Sequence, residues 1–177
     1  MTNAEIAALA AELYQHIVTV MPNPLKQDEK DPNSASYLQR VKHDSTLTVR
    51  FLEEPTEWIQ FFEYFDAKRD MFLPQAVGVR TKQKPNMRYL VNALDVEEAK
   101  VIPLVLTKLT VDQLVRMYKK FSTILDRDYE ITRSDTGFDT DYSVEQKDPV
   151  KLKLDKYTKL DLLEVLQSQL TLGRPSG

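Results

Sequence analysis

The sequence predicts a mainly β protein with flanking helices, of the α+β class. Three observations carry this reading. Alternating apolar and polar residues recur through the middle of the 177-residue chain. One amphipathic helical pattern interrupts them, and another such pattern stands near each end. Side chains alternate across a strand and return to one face every three or four residues in a helix, so the two periods separate the elements.

Asn3–Val20 reads as a helix, with Ile6, Leu9, Leu13, Ile17 and Val20 at helical spacing and Asn3 as its cap. From Pro22 to Ser36 the chain turns polar, with Pro22, Pro24 and Pro32, and reads as a linker. Ser45–Glu53 alternates Leu47, Val49 and Phe51 with Thr46, Thr48 and Arg50, the pattern of a half-buried strand. Glu57–Asp66 is an aromatic-rich second strand, and Met87–Asp95 and Lys100–Leu106 are further strands. Pro103 places the last of these at an edge or a bulge, because proline has no N–H to give a ladder. Thr110–Leu125 follows as a helix, with Thr110 and Gln113 as a capping box. A hairpin comes next: strand Tyr129–Arg133, turn Ser134–Gly137, strand Phe138–Val144. Lys159–Leu170 closes the list as a helix capped by Thr158.

One helix inserted in an antiparallel meander predicts an OB-fold, a five-stranded antiparallel barrel with one central helix and N- and C-terminal helices. The expected domains are an N-terminal helix and linker over 1–36, the barrel over 37–147, and a C-terminal extension with its helix over 148–177.

Composition excludes several kinds of chemistry. The absence of cysteine removes disulfides, thiolate metal sites and a cysteine nucleophile. Four glycines, Gly78, Gly137, Gly173 and Gly177, permit neither a P-loop nor a dinucleotide fingerprint. His16 and His43 have no metal-ligand partner at useful spacing. Asp126, Asp128 and Glu130 open like a calcium loop, but Ile131 and Gly137 stand where glycine and glutamate are required. Asp139 and Asp141 read as a solvated strand face. The N-terminus carries early acids and no basic region, unlike a signal peptide, and no apolar run reaches the roughly 18 residues of a membrane span. The expectation is no enzyme, no metal, no cofactor and no membrane.

Charge distribution is more informative than net charge, which is −3 from 24 Lys plus Arg against 27 acids. Leu73–Leu90 holds Arg80, Lys82, Lys84 and Arg88 and no carboxylate. Lys68 and Arg69 precede it, and Asp70 is the single acid between Lys68 and Arg88. Trp58, Phe61, Phe62, Tyr64, Phe65, Phe72 and Tyr89 surround it. A nucleic-acid single strand needs this combination: cations for its phosphates and flat apolar surfaces for its unpaired bases. Strand alternation puts about half of these aromatics in the core whatever the function.

The segments Leu47–Asp66, Arg88–Val101 and Asp126–Val144 resemble the single-stranded DNA-binding proteins of tailed bacteriophages, OB-fold replication proteins loosely grouped with the T4-type helix-destabilising protein. The most specific part is Arg133, Gly137, Asp139, Thr140 and Tyr142 in that order; the Arg50–Leu52 opening is weaker. The resemblance implies a non-enzymatic, sequence-independent protein that coats single-stranded DNA during replication, recombination or repair in the cytoplasm of the infected bacterial host. Its partners would be single-stranded DNA, neighbouring copies of itself and replication or recombination proteins. The expected DNA-binding residues are Arg50, Trp58, Phe62, Tyr64, Arg80, Lys82, Lys84, Arg88, Tyr89 and Arg133, with Lys119 and Lys120 as weaker candidates. The chain departs from the group in three ways. It lacks the cysteine or histidine ligands that members often carry after the second strand, Asp135 stands where glycine is commoner, and no acid follows Glu164. A structural or adaptor protein that uses an OB-like scaffold for assembly is the second reading.

Overall fold

The computed structural model describes residues 38–76, 80–81, 84–136 and 139–172. The expected helix Asn3–Val20, the linker Pro22–Ser36 and Lys82 lie outside them. The elements are β1 (Ser45–Phe51), β2 (Ile59–Asp66), β3 (Met71–Pro74), β4 (Asn86–Asp95), β5 (Lys100–Leu106), α1 (Lys108–Phe121), β6 (Arg127–Thr136), β7 (Asp139–Pro149) and α2 (Leu162–Leu172). Among the described residues these seven strands form one antiparallel sheet, in the order β3, β2, β4, β1, β6, β7, with β5 also on β4.

β4 organises the sheet. One edge pairs with β5 over Tyr89–Asp95. The other is shared: β2 takes Asn86–Leu90 and β1 takes Ala93–Asp95. β1 and β2 thus act as one long strand, interrupted by the 3-10 turn Pro55–Glu57. Both faces of β4 are covered. Tyr89, Val91 and Ala93 join Val49, Phe51, Trp58, Leu104, Tyr129 and Ile131, and α1 packs Val111, Leu114 and Val115 on them. Leu90 faces the other way and meets Phe61, Val105 and, from α2, Leu162 and Leu166. Burial on two faces explains why Tyr89–Val91 and Ala93–Leu94 are apolar at successive positions, without alternation. Each such buried aliphatic side chain contributes about 1.5–3 kcal/mol.

The mainly β, α+β class is present, but the sheet is open and has seven strands where a closed barrel of five was expected. The two edges that would close it are otherwise engaged. On β5, Gln39 N–H donates to the Pro103 carbonyl at 2.9 Å and Val105 N–H to the Gln39 carbonyl at 2.8 Å, in a parallel bridge. N–H and C=O of one residue point to the same side of a strand, so the N–H that Pro103 lacks would face this outer edge and not β4. On β7, the Gln113 side chain of α1 donates to the Tyr142 carbonyl at 2.8 Å and accepts from Val144 N–H at 3.0 Å. No β5–β7 pairing occurs among the described residues.

Four elements differ from expectation for local reasons. β3 folds back on β2 through a turn in which Asp66 accepts from the N–H groups of Lys68 and Arg69 and Asp70 adopts φ 51°. α1 begins at Lys108 because Thr107, not Thr110, is its cap, accepting from Thr110 N–H at 3.4 Å. It stops at Phe121 because Ser122 turns left-handed, φ 63°, and donates to the Tyr118 carbonyl. The hairpin is longer than expected, with Ser134 paired to Asp141 and Thr136 to Asp139. α2 is capped by Asp161, which accepts from Glu164 N–H at 3.2 Å, so it starts later than Thr158 would have placed it. None of the described helices is long and apolar enough to cross a membrane.

The C-terminal extension is fastened to the sheet by Asn92, which is buried. Its amide nitrogen donates to Glu53 Oε1 at 3.0 Å and the Leu160 carbonyl at 3.1 Å, and its oxygen accepts from Leu160 N–H at 2.8 Å. Asn92→Ala strands these partners and lowers unfolding free energy by about 1–3 kcal/mol, read by urea titration.

Tyr129 is buried, and its hydroxyl has no hydrogen-bond partner among the described residues. Burial pushes its pKa up to about 12. The folded state therefore holds the proton that the unfolded chain releases near pH 10, and this contribution to stability is lost as pH rises from about 10 to about 12. Tyr129→Phe removes both penalties. The variant is at least as stable as the parent at pH 7, by up to about 1 kcal/mol, and loses less stability between pH 10 and pH 12.

Candidate nucleic-acid interface

β4 runs on past the end of β5. Asn86, Met87 and Arg88 have a β2 neighbour but no β5 neighbour, because β5 ends at Leu106 opposite Tyr89. The notch opens into a groove of about 360 Å³ at the unclosed seam. Five parts of the chain wall it: Arg40 before β1, Glu63 and Phe72 from the β2–β3 hairpin, Arg88 from β4, the Thr107–Thr110 turn of α1, and Arg133, Thr140 and Tyr142 from the β6–β7 hairpin.

Its floor holds a carboxylate. Glu63 sits in phase with Phe61 and Phe65 on β2, and its side chain is 1% exposed. Arg40 grips it with two bonds, 2.9 and 2.6 Å, and Arg88 Nε donates a third at 3.0 Å. A buried carboxylate is tolerable only when paired and hydrogen-bonded, and bidentate guanidinium geometry supplies both. Two arginines share one acid, so the cluster keeps one uncompensated positive charge. The Arg40 guanidinium also lies 5.2 Å from the centre of the Phe72 ring, which is 41% exposed and packs edge-on against Phe65.

The opposite wall is set by Asp135. It accepts from Thr140 Oγ1 at 2.6 Å, and Arg133 Nε and His43 Nδ1 stand 3.1 and 2.6 Å from its second oxygen. The Thr140 hydroxyl, then Arg133 and His43, hold its carboxyl below the usual range against the opposing effect of burial. Asp135 N–H donates to Asp44 at 2.9 Å. The Asp135 carboxylate, through His43, and its main-chain N–H, through Asp44, both tie the hairpin to the chain before β1. His43, Asp44 and Asp135 bring ligand atoms within 4.8 Å of one another, but Arg133 places a positive charge against the Asp135 carboxylate.

The expected DNA-binding residues separate into four groups. Arg88 and Arg133 meet in the groove, although 45 positions apart in sequence. Arg80 and Lys84 are exposed on the connection between β3 and β4, and no ion pair engages them among the described residues; Lys82 falls outside those residues. Phe62, 40% exposed, and half-buried Tyr64 sit on the face of β2 opposite Glu63. The remaining three are interior, and a structural role replaces the expected contact. Arg50, 2% exposed, bonds Asp128 at 2.7 Å and the carbonyls of Leu125 and Val150. Trp58 packs on Phe51 and donates to the Glu53 carbonyl. Tyr89 belongs to the main core. Lys119 and Lys120 are exposed on α1, and Asp139 and Asp141 are exposed on β7.

Arg40, Lys108 and the contribution of Phe72 and Tyr142 were not legible as site residues, because only the tertiary fold brings them together. Glu63 did carry a signal: an acid at the inward phase of an aromatic strand needs a cationic partner.

No family model matches the chain, and no curated protein and no solved structure matches it.

Glu63→Ala leaves two guanidinium groups facing each other without a counter-charge. The cost is about 3 kcal/mol, at the low end for a broken buried pair because both arginines keep partial contact with water. Urea unfolding of the variant reads it, and the Arg40→Ala variant, which leaves the Arg88 pair intact, loses less.

Proposed function

We propose that the chain binds single-stranded DNA through this groove, on an open variant of the OB-type fold. The observation that carries the reading is the convergence of Arg40, Arg88, Lys108 and Arg133 with two accessible rings, Phe72 and Tyr142, in one cleft. Phosphates require the first set, and unstacked bases require the second.

Topology supports it. With β1 and β2 taken as one interrupted strand, β4, β5, β6 and β7 follow as second to fifth, and α1 falls between third and fourth. In an OB-fold the face of strands two and three, together with the loops joining one to two and four to five, binds oligonucleotides. Here these are β4 and β5, the connection that carries Arg80 and Lys84, and the hairpin that carries Arg133. The N-terminal turn of α1 also borders the cleft, and its partial positive charge favours a phosphate. The phage replication or recombination role follows from the sequence resemblance and belongs to the same proposal, with protection of exposed strands as its purpose.

Fluorescence anisotropy with an oligothymidylate tests this. The single strand binds, and a duplex of equal length binds far more weakly, because stacking needs unpaired bases. Affinity falls with salt at a log–log slope of about −0.7 per neutralised phosphate. Joint replacement of Arg80, Lys84 and Arg133 by Ala flattens that slope by up to about 2. Phe72→Ala or Tyr142→Ala weakens binding by about 1–3 kcal/mol and leaves the slope intact. Equal affinity for duplex, or no binding to either, rejects the reading.

A further inference from the structure

A second groove lies beside the first. Gln113, Arg116, Met117 and Lys120 of α1 form one wall, and Val144, Glu145 and Gln146 of β7 form the other. Both walls continue those of the first groove. On α1, Leu109, Gln113, Arg116 and Lys120 follow spacings of four, three and four, so they form one stripe along the helix. On β7, Thr140, Tyr142, Val144 and Gln146 alternate onto one face. Leu109, Thr140 and Tyr142 line the first groove, and the rest of both rows lines the second. The boundary between them is the Gln113 amide, bonded to the Tyr142 carbonyl and to Val144 N–H.

From this continuity we infer that the strand's path does not stop at Tyr142 but runs on between α1 and β7, over Gln113, to Arg116 and Lys120. The inference rests on the function proposed above and extends its site. Charge selects the occupant. Arg116 and Lys120 are exposed, Lys119 is exposed next to them, and Glu145 is the one acid among the described residues that line the groove. Met117 and Val144 supply an apolar floor against which a base can lie. From Leu109 to Lys120 the stripe is about 16 Å long at 1.5 Å per residue. The second section thus lengthens the site without adding affinity for an oligomer that fills only the first groove.

The test measures anisotropy for oligothymidylates of about 4 and about 16 nucleotides, the two ends of the range that such folds cover. The double variant Arg116→Ala, Lys120→Ala binds the short oligomer like the parent. For the long oligomer it binds roughly tenfold more weakly at low salt, and its log–log salt slope is flatter by about 1.4, or 0.7 for each cation. Lys151→Ala with Lys153→Ala removes equal charge from exposed positions that line neither groove, and leaves both oligomers nearly unaffected. Circular dichroism confirms that α1 is retained. Unchanged long-oligomer affinity and slope in the α1 variant overturn the inference while the first groove stands, and so does an equal loss in the control pair. Failure of the parent protein to bind either oligomer overturns the function reading itself, and this extension with it.

Discussion

The seam between β5 and β7 stays open because both facing edges are already hydrogen-bonded. Gln39 supplies the main-chain partner on β5, and the Gln113 side-chain amide supplies it on β7. Unpaired backbone groups at a sheet edge are costly when buried and invite pairing when exposed. A primary amide carries one donor side and one acceptor side, so it can stand in for a peptide group of a missing strand. The groove is the space this arrangement leaves. Closing the sheet directly would bring β5 against β7 and remove it.

The walls of that space are rigid for reasons of their own. Arg40, Glu63 and Arg88 lock one another, and Asp135 locks Arg133 and Thr140 on the other side. A guanidinium held by a carboxylate is oriented before any ligand arrives, so less conformational freedom is lost on binding. The same pairing limits how much positive charge each arginine offers. Exposed Arg80 and Lys84, on the acid-free connection above the notch, supply charge that no carboxylate offsets among the described residues. The lack of acids from Leu73 to Leu90 makes sense in this setting: a carboxylate there would repel any polyanion in the cleft.

Much of the strand pattern was legible in the sequence. β1, β2, β4 and β5 lie where alternation and β-branched or aromatic runs placed them, because periodicity is a local property. The short β3 was not, since four residues carry too little pattern and its turn depends on Asp66 and Asp70. The number of strands in the sheet was not legible either, because closure depends on what Gln39 and Gln113 bond, and neither residue type announces an edge-capping role. Burial decided the fate of the site residues. Trp58 and Tyr89 have the composition of stacking platforms, but Tyr89 faces inward by its phase on β4, and Trp58, at the end of the 3-10 turn before β2, packs on Phe51 in the core. Arg50 reads as an outward cation by alternation and is instead enclosed by Asp128 and the chain around Val150, which arrives from 100 residues away.

The central claim is that a DNA strand lies in the seam groove and stacks on Phe72 and Tyr142. Photo-crosslinking reads this directly. A single-stranded oligonucleotide carrying iododeoxyuridine is irradiated with the protein, and the attached peptides are mapped by mass spectrometry. The account predicts adducts at Phe72 and Tyr142, both lining the groove. Phe72 pairs with Phe65, on the same face of the hairpin as Glu63. Adducts confined to Phe62 or Tyr64, on the opposite face of β2, would contradict it.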